Sequence, residues 1–195
     1  MNNNWPFLKV IETFDIDIAK VDIRDEKLLD KLFLKYKNLG KPIQAVIHFA
    51  GLKCVNESVS TPLDYWDVNV KGSINLLRIM DRYKCRKIVF SSSATIYGQS
   101  KDTPLKENER INPINPYGRT KAVIEKILHD VYSSNPDEWK IANLRYFNPI
   151  GSHPSGIIGE SPLGIPSNIF PFITQVALGH INKLTIFGND WPTKD

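Results

Sequence analysis

Short apolar runs alternate with longer stretches of helical periodicity, and that alternation admits few folds. Ala45-Val46-Ile47-His48-Phe49-Ala50 is a continuous apolar run closed by Gly51, the pattern of a strand covered on both faces of a parallel sheet. Lys87-Ile88-Val89-Phe90 leads into Ser91-Ser92-Ser93-Ala94, and residues 141–147 form a third run. Between the first two, Thr61-Pro62 predicts an N-cap followed by proline at the first helical position. The helix it opens runs to about Tyr83 with Leu63, Trp66, Val70, Ile74 and Leu77 on its inner face. Asn115-Pro116 opens another, carrying Val123, Ile124, Ile127, Leu128 and Val131 as far as about Ser133. Upstream, residues 16–23 alternate like a strand, and Leu28, Leu29, Leu32, Phe33 and Tyr36 recur at helical spacing until Gly40-Lys41-Pro42. Strands alternating with helices imply right-handed βαβ units, an α/β fold with a doubly wound parallel sheet, and ligands beyond the C-terminal strand ends.

The last quarter changes character. Residues 148–168 are crowded with prolines and glycines, which suggests a segment that wraps a ligand or opens a second lobe. A short helix at 169–178 and a strand at 184–187 follow. The expected division is therefore residues 1–150 and 151–195.

Charge narrows the partners. Lys+Arg 25 against Asp+Glu 21 gives +4, spread in short mixed clusters rather than concentrated in a basic stripe, so no nucleic-acid partner is expected. No run approaches the roughly 18 apolar residues that span a bilayer, so no membrane partner is expected either. Met1-Asn-Asn-Asn-Trp-Pro has no positive region before an apolar run, and a cytoplasmic location is the expectation. Cys54 and Cys85 lack a CxxC spacing and read as reduced thiols, so no metal site is expected.

The chemistry centres on Tyr117-Gly-Arg-Thr-Lys121. A spacing of four puts phenol and ammonium on one helix face, and a neighbouring cation favours phenolate, which would make the tyrosine a base. Tyr83 and Lys87, and Tyr97 and Lys101, share the spacing, so the pattern alone decides nothing. Context separates Tyr117: it opens a helix after a strand ending in three serines, so hydroxyls and phenol can converge. A nucleophilic serine is disfavoured because the chain has no GxSxG elbow. Phenol, hydroxyl and ammonium together suit removal of a proton from a secondary alcohol while hydride leaves its carbon, which requires a nicotinamide.

Six stretches carry a resemblance: residues 49–53, 90–98, 116–121, 144–151, His153-Pro-Ser-Gly156 and Gly164-Ile-Pro166. In order and spacing they are similar to the UDP-glucose 4-epimerases of the extended short-chain dehydrogenase/reductase family. The resemblance implies NAD as cofactor, a UDP-sugar substrate, and epimerisation at C4 by hydride abstraction and return. Tyr117 would be the base, Lys121 would hold the nicotinamide ribose and depress the Tyr117 pKa, and Ser93 would hydrogen-bond the sugar oxygen. Asp22 and Ile23 would contact the adenine. Phe49, Ala50, Gly51 and Lys53 would line the pyrophosphate and ribose, with Asn69 and Phe147 completing the cofactor site. Thr95, Asn148, Asn168, Thr185, Ile186 and Phe187 would receive the UDP-sugar. The family's homodimer implies pairing through the helices at 61–83 and 116–133.

Related 4,6-dehydratases carry an Asp-Glu pair where this chain has Ala94 and Thr95, so elimination of water is not expected. Another UDP-sugar epimerase or a reductase of the same family, or a non-catalytic remnant, are the alternatives. The first glycine is Gly40, so the family's Gly-rich phosphate turn has no counterpart in these residues. The expectation is a partial Rossmann-type sheet without its first two strands, with the start of a small C-terminal substrate lobe, inactive by itself. 

Overall fold

The computed structural model describes residues 13, 16–99, 104–156, 159–160, 168–186 and 188. Residues 19–147 form one compact unit, and the described residues through Ile18 and from Asn148 belong to a second.

In the first unit, helix α1 (Glu26–Asn38) starts where the Asp25 side chain accepts from the Leu28 amide, and its Leu29 and Phe33 are buried. Strand β1 (Val46–His48) follows. Next come helix α2 (Val55–Ser60), helix α3 (Pro62–Tyr65), a π-helical segment (Trp66–Lys71) and helix α4 (Gly72–Arg82). Strand β2 (Lys87–Ser93) ends in a 3₁₀ turn (Ala94–Tyr97), and helix α5 (Pro116–Ser134) leads to strand β3 (Lys140–Tyr146). The sheet order is β1-β2-β3, parallel throughout, with Val46 beside Ile88 and Ser93 beside Tyr146. This is the α/β architecture the alternation predicts. Leu29, Phe33, Leu76, Ile79, Met80, Ile88, Phe90, Ile124 and Leu128 form the core between helices and sheet. The second unit contains helix α6 (Ile169–Ala177), close to its expected bounds.

Four expectations are corrected. Residues 16–22 form no strand: alternation marks which side chains want cover, but a strand exists only where a neighbour accepts its hydrogen bonds, and among the described residues none does. The segment is held instead by Asn75, whose amide donates to the carbonyl of Arg24 at 2.9 Å. Residues 184–186 likewise form no strand. β1 is a three-residue edge strand, not one covered on both faces, and Ile47 is 64% exposed.

The fourth correction concerns the helix opened by Thr61. Helix already begins at Val55, and the Thr61 hydroxyl donates back to the Glu57 carbonyl instead of capping Pro62. The π-helical segment then alters the phase of the turns, because its bonds span five residues instead of four. The buried face runs through Tyr65, Asn69, Ser73, Leu76 and Met80; of the expected inner face, Leu77 is in the core and Val70 packs against it, while Leu63 is 80% exposed. At the start of α4, a Cβ on Gly72 would come 2.5 Å from Ile23 Cδ1, so only glycine admits Ile23 against the helix.

Candidate active site

β2 delivers three serines in succession, and one face of α5 meets them. Pro116 opens α5 as expected, with the Asn115 side chain accepting from the Gly118 amide at 2.8 Å. Gly118 sits where a Cβ would be 2.9 Å from the Thr95 carbonyl oxygen, so the first turn of α5 lies directly on the 3₁₀ turn. Tyr117 is thereby brought to Ser93. The Ser93 oxygen accepts from the Thr95 amide at 3.2 Å and from the Thr95 hydroxyl at 3.0 Å. Its hydroxyl also hydrogen-bonds the Tyr117 phenol and favours the ionised form, although burial outweighs it and pushes the phenol above its ordinary value.

Lys121 is 5% exposed, and its ammonium donates to the Ser91 carbonyl at 2.7 Å. The nitrogen lies 4.8 Å from the centre of the Phe90 ring and 5.8 Å from that of Tyr117. Burial pulls its pKa down to about 8. The expected lowering of the Tyr117 pKa by Lys121 is therefore not found: the cation is committed to Ser91, and desolvation of the phenol dominates. Ser93, Thr95, Tyr117 and Lys121 are nevertheless brought together, as the sequence spacing and the strand-end serines imply.

The expected cofactor residues divide. Phe49, Ala50, Gly51 and Lys53 lie exposed just beyond the C-terminal end of β1, and Phe147 lies exposed just beyond β3. These are the strand ends where a parallel sheet binds its ligands. Asn69 is 1% exposed, and its amide is engaged within the protein. Its oxygen accepts from the Leu52 amide at 2.8 Å, and its nitrogen donates to the Leu52 carbonyl and to the Thr120 hydroxyl, both at 3.1 Å. Asn69 thus ties the loop after β1 to α5. A Cβ on Gly51, at φ +155°, would stand 2.9 Å from that oxygen. The Asp22 carboxylate accepts from the Arg24 guanidinium at 2.7 Å, which holds its pKa down to about 2, and Ile23 packs on Gly72.

Asn148, Asn168, Thr185 and Ile186 belong to the second unit, where Asn168 donates to Glu160 at 3.1 Å. Phe187 lies outside the described residues. Among the described residues no group of three His, Cys, Asp or Glu could hold a metal ion, and no helix is long and apolar enough to cross a membrane.

Sequence reasoning missed Glu125, Arg145 and Tyr65, all of which are wired into this site. Glu125 had a signal: it shares with Lys121, Ile124 and Leu128 the spacing of the buried stripe of α5, where a carboxylate needs a partner. Arg145, in β3, is that partner, at 2.7 Å.

The GDP-mannose 4,6 dehydratase family matches residues 8–195. The chain belongs to this family. Within the GDP-mannose 4,6 dehydratase family, the sequence is 53% identical over 180 residues to "UDP-glucose 4-epimerase 2" of Arabidopsis thaliana, covering 92% of this chain and 50% of that protein. It is 47% identical over 188 residues to the UDP-glucose 4-epimerase of Bacillus subtilis, covering 96% and 54%. The fold superposes with a TM-score of 0.85 on the UDP-glucose 4-epimerase of Bifidobacterium longum, solved in complex with NAD+ and UDP. That pair is 41% identical, over 96% of this chain and 55% of the other. This family member thus spans about half the length of the relatives it matches. The resemblance to UDP-glucose 4-epimerases carried by the motifs is borne out.

Proposed function

We propose that this chain carries the proton-handling centre of an NAD-dependent epimerase that interconverts UDP-glucose and UDP-galactose at C4. The observation that carries the reading is the convergence of the Tyr117 phenol and the Thr95 hydroxyl on Ser93, with Lys121 one turn further along α5. Similarity to epimerases at about half identity supports it.

The residues present fit a dinucleotide. Exposed aromatic rings, Phe49 and Phe147, stand at the C-terminal ends of β1 and β3, the strands on either side of β2, and Gly51 in the loop after β1 lets the backbone pass close to the Asn69 side chain. Lys121 offers a buried ammonium next to the phenol. When bound, NAD supplies the acceptor and donor of hydride for C4 of the sugar. The residues proposed to hold it are Asp22, Ile23, Phe49, Ala50, Gly51, Lys53, Ser93, Tyr117, Lys121 and Phe147, with Asn69 fixing the loop that lines it.

Tyr117 takes the proton from the sugar 4-hydroxyl and returns it after the carbon is inverted. Ser93 hydrogen-bonds the same oxygen, and its bond to the phenol favours the ionised tyrosine that burial opposes. Lys121, fixed by Ser91, adds positive charge on the same helix face. Thr95, Asn148, Asn168, Thr185, Ile186 and Phe187 are the proposed UDP-sugar contacts. Residues 1–150 and 151–195 are the proposed cofactor and substrate parts, and the protein is proposed to act in the cytoplasm as a homodimer through its helices at 61–83 and 116–133. Since no Gly-rich phosphate turn occurs among these 195 residues, they are proposed to bind NAD weakly and to be inactive by themselves.

Incubation of UDP-galactose with a protein that joins these residues to a Gly-rich phosphate turn tests the reading, and every rate measurement on variants is made in that protein. The expected product is UDP-glucose, of unchanged mass. A product lighter by one water contradicts an epimerase, as does an unaltered substrate.

A further inference from the structure

Three consecutive residues of β2 are each held by α5. Lys121 donates to the Ser91 carbonyl at 2.7 Å, Glu125 accepts from the Ser92 hydroxyl at 2.5 Å, and Tyr117 bonds to Ser93. Tyr117, Lys121 and Glu125 are successive members of one helix face at a spacing of four. The first two carry the proposed chemistry, and Glu125 does not.

Glu125 is tied to Arg145 through every oxygen it has. Arg145 Nη2 donates to Oε2 at 2.7 Å, and Nε donates to Oε1 at 3.1 Å and Oε2 at 3.2 Å. Arg145 stands beside Ser92 in the parallel ladder, as Tyr146 stands beside Ser93. Its Nη1 goes on to the Tyr97 hydroxyl at 2.8 Å and the Glu107 carbonyl at 2.7 Å. One guanidinium therefore joins α5, β3, the 3₁₀ turn after Ser93 and the loop at Glu107. The side chains of Glu125 and Arg145 are only 6% and 19% exposed.

Stability alone does not explain such a pair. Two desolvated charges repay their hydration only with excellent geometry, and well-packed apolar residues of similar size are often as stable. What an ion pair adds is direction: forked donors fix the strand end and the turn on both sides of Ser93 at defined distances. We propose that Glu125 and Arg145 are positioning residues that hold Ser93 and Thr95 in the geometry needed for proton transfer with Tyr117, an inference that rests on the proposed epimerase function for its kinetic consequence.

The test is a double-mutant cycle joined to hydrogen exchange on the same preparations. Glu125→Gln keeps the shape and removes the charge. It should lower kcat by about tenfold with KM for the UDP-sugar within about twofold, whereas in a Ser93→Ala background it should change kcat by less than about twofold. Amides of residues 93–97 should exchange at least about fivefold faster in Glu125→Gln, with residues 46–48 unchanged. Arg82→Gln, which breaks an exposed bridge to Asp30, should alter neither readout. Where Glu125→Gln does not fold, Tyr97→Phe removes a single hydroxyl from the network and should show the same pattern at smaller size. Equal losses of kcat in both backgrounds overturn the proposal, and so does unchanged exchange at 93–97. The kinetic arms are measured in a protein that joins these residues to a Gly-rich phosphate turn; absence of epimerase turnover in that protein contradicts the proposed function, and the exchange measurement then decides the positioning role by itself.

Discussion

The Tyr65 ring meets the Tyr117 ring edge-on, with centroids 6.4 Å apart and planes at 83°. Tyr65 is completely buried, and its hydroxyl donates to the Cys54 carbonyl at 2.7 Å and bonds the Glu57 carboxylate at 2.8 Å. An anchored ring thus supports the one proposed to act as base. Tyr65→Phe keeps the edge-to-face contact and loses the hydroxyl, so it should cost about 1–2 kcal/mol with kcat nearly unchanged. Tyr65→Ala removes the ring, and should cost about 3–5 kcal/mol and reduce kcat in the protein that remains folded. Urea denaturation and initial rates on both variants check the distinction.

Lys121 should destabilise the fold near neutral pH. Its pKa is about 8 in the folded protein against an ordinary 10.5, so the unfolded chain holds a proton between those values that the folded chain releases. This residue's contribution to stability therefore rises as pH goes from about 8 to 10.5. Lys121→Met should raise stability at pH 7 by about 1–3 kcal/mol while removing epimerase activity. Denaturation midpoints at pH 7 and pH 10 measure it: the gain should shrink at the higher pH.

His48 should act at the acid end. It pairs with the Ser73 hydroxyl at 2.8 Å under the Phe90 ring, and burial, aided by the Lys121 charge, pulls its pKa down to about 4. The unfolded chain takes up a proton from about 6.5 downward that the folded chain refuses until about 4. Its stability contribution is complete above pH 6.5 and is lost as pH falls toward 4. His48→Asn should show a smaller loss of stability than the original chain between those two pH values, measured by urea midpoints.

Much of this was legible because periodicity and caps are local. α1, α5, α6, β2 and β3 fall close to where the helical spacing of Leu28 to Tyr36, Asn115-Pro116 and the apolar runs put them. Alternation at residues 16–23 was misleading because pairing is not local: the same pattern without a hydrogen-bonded neighbour is extended chain. Nor does periodicity reveal a π-helical segment: Tyr65, Asn69 and Ser73 join the buried face and Leu63 leaves it, while Leu77 stays in the core. In the site, Tyr117 and Lys121 were readable from spacing only together with the strand–helix order that brings serine hydroxyls to the phenol, and Ser93 among the three serines came from the resemblance. The pKa of Tyr117 was not, because it depends on where the Lys121 ammonium points and how deeply the phenol is buried. Asn69 shows the same limit: the resemblance made it a cofactor contact, but only the fold shows its amide tied to Leu52 and Thr120.

The central claim is that Tyr117, held by Ser93, moves the proton. Tyr117→Phe removes one oxygen and keeps the ring against Tyr65, so the epimerisation rate of this variant, in a protein that joins these residues to a Gly-rich phosphate turn, beside the same protein unaltered is the most direct measurement. The account predicts a loss of at least about 100-fold with the thermal midpoint unchanged. Activity within about threefold of the unaltered protein would contradict it.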